Sequence, residues 1–225
     1  MKADSAQKLK IEVGKAGAVS ALLLRPESSR ACFVFAHGAG AGMTHPFMQT
    51  FAEGLCARGI ASLRYQFPYM EKAGRRPDPP AIAHATVRAA VTEARRHCPD
   101  VRLIAGGKSF GGRMTSQAQA GSPLEGVRGL AFLGFPLHPA GKPSTDRAGH
   151  LADIHVPMLF LQGTRDTLAE AALIEPQVKR LGPSARLHLV EAADHSFHVL
   201  ARSGRNDRDV MREMLDAFAD WTEAI

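Results

Sequence analysis

The sequence predicts an α/β protein with a mainly parallel central sheet of about eight strands and helices on both faces. Three observations carry this. From Ala31 onward, short apolar runs alternate with helix-patterned segments at the spacing of βα units. Runs such as Ala31–Ala36 (ACFVFA) are apolar without a break, as a strand covered on both faces must be. And Val101–Gln119 (VRLIAGGKSFGGRMTSQAQ) passes from an apolar run through a glycine-rich turn into a stretch of Ala, Met, Ser and Gln that suits a helix.

The elements follow in order. Residues 8–13 alternate polar with apolar, Gly14–Gly17 turns, and 19–24 returns, which predicts a hairpin. After a polar loop at Arg25–Arg30 comes the strand Ala31–Ala36, ending at His37-Gly38-Ala39-Gly40-Ala41-Gly42. Pro46 suits the first turn of a helix whose apolar face is Phe47, Met48, Phe51, Ala52 and Leu55, stopped by Gly59. Ile60–Tyr65 is a strand, and Gln66–Pro80, with four prolines and two arginines, is a loop. Ala81–His97 is a patterned helix stopped by Pro99. Beyond Gln119, strands are predicted at Gly126–Leu133, Val156–Leu161 and Arg186–Val190, and helices at Leu168–Leu181 and from about Asp207 to Thr222. Gly134–His150, rich in Pro, Gly and His, has no periodicity and is too short for a helical lid, so any cap is minimal. No internal repeat, heptad or linker interrupts the chain, which predicts a single domain over 1–225.

With 225 residues, 45% hydrophobic and 22% charged, the chain has enough material for one sizeable core. Its apolar runs are too short to span a bilayer, and MKADSAQKLK lacks the apolar segment of a secretory signal, so the expected compartment is the cytoplasm. The net charge of +6 is spread over single arginines. The two clusters, Arg75-Arg76 and Arg95-Arg96, each neighbour acids, which reads as a solvated surface rather than a nucleic-acid footprint. The three cysteines, Cys32, Cys56 and Cys98, have neither metal-pair nor CxxC spacing, and no metal or cofactor is expected. Cys32 and Cys56 read as buried, Cys98 as the more accessible one.

The chemistry-bearing stretch is Gly107-Lys108-Ser109-Phe110-Gly111. It fits G-x-S-x-G, the strained turn that lifts a nucleophilic serine to the N-terminus of a helix. Glycines two before and two after the serine suit positions where a Cβ would strike neighbouring backbone. Two other readings remain: an incidental serine in a βα turn, and the end of a phosphate-binding loop, G-x-x-x-x-G-K-[ST]. The latter needs a glycine where Arg102 stands.

A serine nucleophile needs a base, and the base needs an acid to orient it. In chain order Ser, Asp, His, the loops after two later strands supply Asp166 (QGTRD) and His195 (EAADHSFH). Asp166 can also be read as a helix cap, with Asp146 in reserve, and His198 is the rival of His195. Phe197 reads as an anchor for that loop. Oxyanion donors are expected from the amides of Phe110 and of Ala39, with Gly40 in reserve, and His37 reads as structural.

HGAG, GKSFGG, GTRD and DHSF together resemble the α/β-hydrolase superfamily. Three further segments, RYQFPYME (64–71), GGRM (111–114) and GFPLHPAGKP (134–143), resemble its dienelactone-hydrolase-like branch. Within that branch they are similar to the small hydrolases related to the domain in the third subunit of the NSL chromatin complex. The resemblance implies the α/β-hydrolase fold from about residue 10 to the end, and the triad Ser109, Asp166 and His195. It departs from dienelactone hydrolase proper, which has a cysteine where Ser109 stands. The implied reaction is acyl transfer to water through an acyl-serine, on small esters or thioesters, by a monomer or homodimer. An acyltransferase with the same triad and a non-catalytic binding module are the alternatives. The expected pocket is shallow, walled by 64–70, 135–143 and 198–200, with Arg64, Phe135 and His138 as substrate-binding residues. Arg64, Lys108 and Lys142 are candidates to favour a negatively charged acyl group.

Overall fold

The computed structural model describes residues 6–225. Residues 1–5, half of the segment that bears on the expected compartment, lie outside the described residues. Among the described residues no helix is long and apolar enough to cross a membrane.

The hairpin forms from β1 (Gln7–Glu12) and β2 (Ala18–Leu24), then β3 (Ala31–Ala36), α1 (Pro46–Cys56) and β4 (Ile60–Tyr65) follow. A short α2 (Pro68–Glu71) precedes α3 (Pro80–His97), β5 (Arg102–Lys108), α4 (Phe110–Gly121) and β6 (Val127–Leu133). The chain closes with β7 (Met158–Gly163), α5 (Ala171–Arg180), β8 (Ala185–Val190) and α6 (Asp207–Ala224). The eight strands lie in the order β1-β2-β4-β3-β5-β6-β7-β8. Pairing is antiparallel for β1 with β2 and β2 with β4, and parallel from β4 through β8. The connection β3-α1-β4 moves one way along the sheet and β4-α3-β5 crosses back. The carboxyl ends of β3 and β5 therefore flank a topological switch point, where α/β sheets open a crevice.

Each face of the sheet carries its own apolar layer. On one face, Met48, Phe51 and Leu55 of α1 and Val210, Met214 and Phe218 of α6 cover Phe33, Phe35, Leu159 and Leu161. On the other, α3, α4 and α5 contribute Val87, Ala90, Met114, Ala118, Ile174 and Val178 over Val34, Leu63, Phe132 and Phe160. β3 is buried along its whole length because both layers use it, which is why it reads as an unbroken apolar run.

Three elements differ from the sequence reading. The loop over 66–80 contains the one-turn helix α2, with Pro68 at its start and the Tyr69 amide donating to Asp78 Oδ2 at 3.0 Å. β5 runs on through Gly106 and Gly107 to Lys108, because Gly107 stays in register with Ala36 of β3 and Phe132 of β6. A 3-10 segment, Asp146–Asp153, straps α4 where no periodicity was visible, and Ser116 Oγ meets His150 Nε2 at 2.7 Å across that contact. The cysteine expectation needs correcting for two residues. Cys98 is buried beside Cys32, its hydrogen-bond partner, and Cys56 is the half-exposed one.

The loop leaving β3 is pinned by His37, which is fully buried. Its Nδ1–H donates to the Gly38 carbonyl at 2.7 Å, and its Nε2 accepts the Phe67 amide at 3.1 Å. Burial pushes the His37 pKa down to about 4. The Tyr69 hydroxyl donates to the Ala39 carbonyl at 2.8 Å, and Gln66 Oε1 accepts the Met43 amide at 2.9 Å.

Two outcomes follow from this architecture. Phe218 packs its ring at 4.9 Å from Phe33 and 5.9 Å from Phe51, so Phe218→Ala is expected to lower the unfolding free energy by about 3–5 kcal/mol in denaturant titrations. The second concerns pH. Unfolded, His37 titrates near 6.5; folded, near 4, so between these values the unfolded chain binds the extra proton. Stability owed to neutral His37 is intact above pH 6.5 and declines as pH falls through that window, by about 3 kcal/mol at its foot. In His37→Gln this part of the stability–pH curve should flatten. Denaturant melts at pH 7 and pH 5 that keep the wild-type difference would refute the assignment.

Candidate active site

The turn between β5 and α4 is tight because two backbones meet there. A Cβ on Gly107 would lie 2.3 Å from the Ala36 carbonyl oxygen, and one on Gly111 2.5 Å from that of His37. Neither neighbour is a side chain that can swing aside, so both positions require glycine. Between them Ser109 sits at φ 49, ψ −113, a region a serine occupies only when its surroundings impose it. The surroundings do so: the Ser109 amide donates to the Leu133 carbonyl at 3.0 Å, and its carbonyl accepts the Arg113 amide at 3.1 Å. The side chain is thereby raised at the head of α4.

His195 reaches this point from the loop after β8. Asp194 Oδ1 accepts the amides of Ser196 and His198 at 2.8 and 3.0 Å, closing the loop on itself. Phe197, buried at φ 64, stacks on Phe47 with ring centroids 5.8 Å apart. Lys108 Nζ donates to the His195 carbonyl at 2.5 Å from beneath. His195 Nε2 lies 2.9 Å from Ser109 Oγ, and Nδ1 lies 2.7 Å from Asp166 Oδ2. A carboxylate on Nδ1 fixes the tautomer: Nδ1–H donates to Asp166, which leaves Nε2 to accept the serine proton.

The Asp166 carboxylate has no solvent exposure. It is compensated on every side: besides His195, Oδ2 accepts from Gln162 Nε2 at 2.6 Å and Oδ1 from the Leu168 amide at 2.8 Å. Gln162, itself fully buried, accepts the Phe135 amide on Oε1 at 2.9 Å. Lys108 supplies a nearby positive charge; desolvation pushes its pKa down to about 8, against the opposing pull of Asp166 and Asp194.

Two clefts open on Ser109. One, of about 280 Å³, is lined by Gly38, Ala39, His45, Phe47, Lys108 and His195 among others. The second, of about 390 Å³, lies on the Phe110 side, between α4, the 3-10 strap and the loop before α3. Ala39 borders both clefts and Phe110 the second, each beside Ser109.

The structure thus brings together Ser109, Asp166, His195, Ala39 and Phe110. It does not bring Arg64, Phe135 and His138 to the clefts, and their expected place in the pocket wall is corrected accordingly. Arg64 is buried, with Nη1 donating to the Met43 carbonyl at 3.1 Å. Phe135 turns inward at Gly134, whose φ is 69, and packs on Phe132 and Phe160. His138 is buried with Nε2 against Glu170 at 2.6 Å, where it braces the loop that carries Asp166. Lys142 is exposed. The rival His198 is exposed and pairs with Asp207. Sequence reasoning missed Gln162; its signal was one polar residue ending an otherwise apolar strand, four positions before Asp166. It also missed the Lys108 contact to the His195 carbonyl, for which no pattern existed.

Comparison with known proteins agrees with this architecture. Residues 29–223 match the model of a family described as an alpha/beta hydrolase domain. Among solved structures, the chain is similar to a Xanthomonas campestris α/β serine hydrolase without a lid, at 20% identity and TM-score 0.76, covering 96% of this chain and 95% of that one. It is likewise similar to a dienelactone hydrolase from Anabaena variabilis, at 20% identity and TM-score 0.74, with 98% of both chains covered. A third is the esterase domain of a Rhodothermus marinus protein, at 14% identity and TM-score 0.71, covering 96% and 97%. At such identities the likeness is one of fold, whereas the family match is carried by the sequence from β3 to α6, leaving out only the β1–β2 hairpin. On that match, the chain belongs to the alpha/beta hydrolase family.

Proposed function

We propose that the protein is a serine hydrolase acting on small carboxylic esters or thioesters through an acyl-serine intermediate. The observation that carries this reading is the unbroken hydrogen-bonded run from Ser109 Oγ through His195 to Asp166, at 2.9 and 2.7 Å, starting from a backbone held in a strained conformation. Such a run at the head of a helix is costly to keep and has a direct chemical use.

In the proposed mechanism His195 Nε2 takes the proton of Ser109 as Oγ attacks the carbonyl carbon. The imidazolium so formed is stabilised by the Asp166 carboxylate, which three donors hold in place. The amides of Phe110 and Ala39 receive the carbonyl oxygen as it becomes negative. A first-turn amide of a helix has no partner within the helix, and the helix dipole adds a favourable field. His195 then returns the proton to the leaving alcohol or thiol, and water repeats the sequence on the acyl-serine. The open clefts and the short 3-10 strap suit small substrates better than long acyl chains. Within the family we place the chain near the small hydrolases related to the third subunit of the NSL chromatin complex, on the segments at 64–71 and 134–143.

Wild-type protein is expected to react with a fluorophosphonate probe and to hydrolyse short 4-nitrophenyl esters, with both activities lost in Ser109→Ala. Folded wild-type protein that takes up no probe would overturn the proposal. Asp166→Asn should keep the fold but lower kcat by roughly 10³–10⁴-fold, since the amide no longer enforces the Nδ1–H tautomer. Steady-state kinetics beside a far-UV spectrum checks this.

A further inference from the structure

We propose that the cleft on the Phe110 side of Ser109 is an anion subsite. In it Arg113 and Arg147 bind a carboxylate or phosphate group carried by one arm of the ester substrate. The inference rests on the reading of Ser109 as the nucleophile and names the substrate class that the reading leaves open.

Four observations support it. The first is place. Arg113 stands one helical turn after Ser109, and helical side chains lean toward the N-terminus, so it points back toward the serine. Arg113, Arg147, Phe110 and Ser109 line the same cleft of about 390 Å³. Arg147 arrives on the 3-10 strap that packs across α4.

The second is the absence of a partner. Most ion-pairing arginines lie on other surfaces, as in Arg58–Asp216, Arg95–Glu125 and Arg205–Glu213. Among the described residues, neither Arg113 nor Arg147 is in an ion pair. Arg113 Nε is buried and makes no hydrogen bond. Its guanidinium lies 6.0 Å from the centre of the Phe110 ring, which holds the plane in position without neutralising it.

The third is the sign of the surroundings. The cleft contains one carboxylate, Asp78, but its Oδ2 is engaged by the Tyr69 amide at 3.0 Å and its charge acts on the Tyr69 hydroxyl. Burial first, and then the positive charge of Arg147, disfavour the charged form of Arg113, so the two guanidiniums repel one another. On the flank, His84 and His150 are both held toward the neutral form, by burial first; among the neighbouring charges Arg88 and then Arg113 act on His84, and Arg113 comes first at His150. Asp153 opposes this only at His150.

The fourth is chemical fit. Two guanidiniums facing one space present planar, forked donors that match the oxygens of a carboxylate or phosphate. An anion that enters relieves their repulsion and satisfies the buried Nε–H. An uncharged arm does neither.

The test compares kcat/KM for the mono-4-nitrophenyl esters of succinate, glutarate and adipate with their methyl-capped, uncharged counterparts. Titration calorimetry with glutarate and with inorganic phosphate on Ser109→Ala supplies a readout independent of turnover. Wild-type enzyme should favour the charged member of at least one pair tenfold or more, which is about 1.4 kcal/mol. That preference should shrink with added salt. It should fall below threefold in Arg147→Gln, and partly in Arg113→Lys, which keeps the charge but loses the fork. Tighter binding of glutarate identifies a carboxylate subsite, and tighter binding of phosphate a phosphoryl one. A preference that survives Arg147→Gln overturns the subsite, as does no preference in any pair together with no Arg147-dependent binding of either anion. Arg147-dependent binding without turnover of any ester would instead sink the hydrolase reading and leave the subsite standing.

Discussion

The site depends on a close backbone approach between the end of β3 and the turn that joins β5 to α4. Gly107 and Gly111 lie so near the carbonyls of Ala36 and His37 that no side chain fits between. This contact sets the angle at which α4 leaves the sheet, and with it the strained backbone of Ser109. It also fixes how far the loop after β3 stands from the serine, so that Ala39 and Phe110 both end beside it. His37 keeps that loop in place from behind by two hydrogen bonds of a neutral imidazole, which is possible only because the ring is buried and its basicity depressed.

A second constraint is the buried carboxylate of Asp166. An ionised group without solvent exposure is tolerable only if its oxygens are fully engaged, and here three donors from three places converge on it. The donors tie together parts of the chain that share no other business. Gln162 links the end of β7 to the Phe135 amide after β6, Leu168 heads the approach to α5, and His195 comes from the loop after β8. The same network explains why Phe135 and His138 lie inside the molecule. Their backbone and side chains support the loop of the acid, with the Leu137 and His138 amides both donating to the Leu168 carbonyl.

Much of the architecture was legible because burial on two faces leaves a plain mark. β3 and β4 coincide with the sequence reading to the residue, and the apolar face read for α1 packs into the layer over Phe33 and Phe35. Errors fell where the mark is absent. The 3-10 strap has no helical period, α2 is a single turn hidden among prolines, and β5 continues through glycines that carry no apolar signal. At the site, Ser109, Asp166 and His195 could be read because each follows a strand end in a fixed order. Arg64, Phe135 and His138 could not be placed, because a residue near a strand end faces the cleft or the core according to one turn dihedral, such as that of Gly134.

The amino-acid order by itself determined which segments become strands and helices, and that a serine, an acid and a histidine leave the sheet by the same edge. It did so because periodicity and turn chemistry are local. Only the tertiary structure decided which side chains meet: that Lys108 holds the His195 loop, that His195 reaches Ser109, and that Arg113 and Arg147 share a cleft. Each of these pairs joins residues more than thirty positions apart, and their distances depend on how the layers pack, which no local pattern encodes.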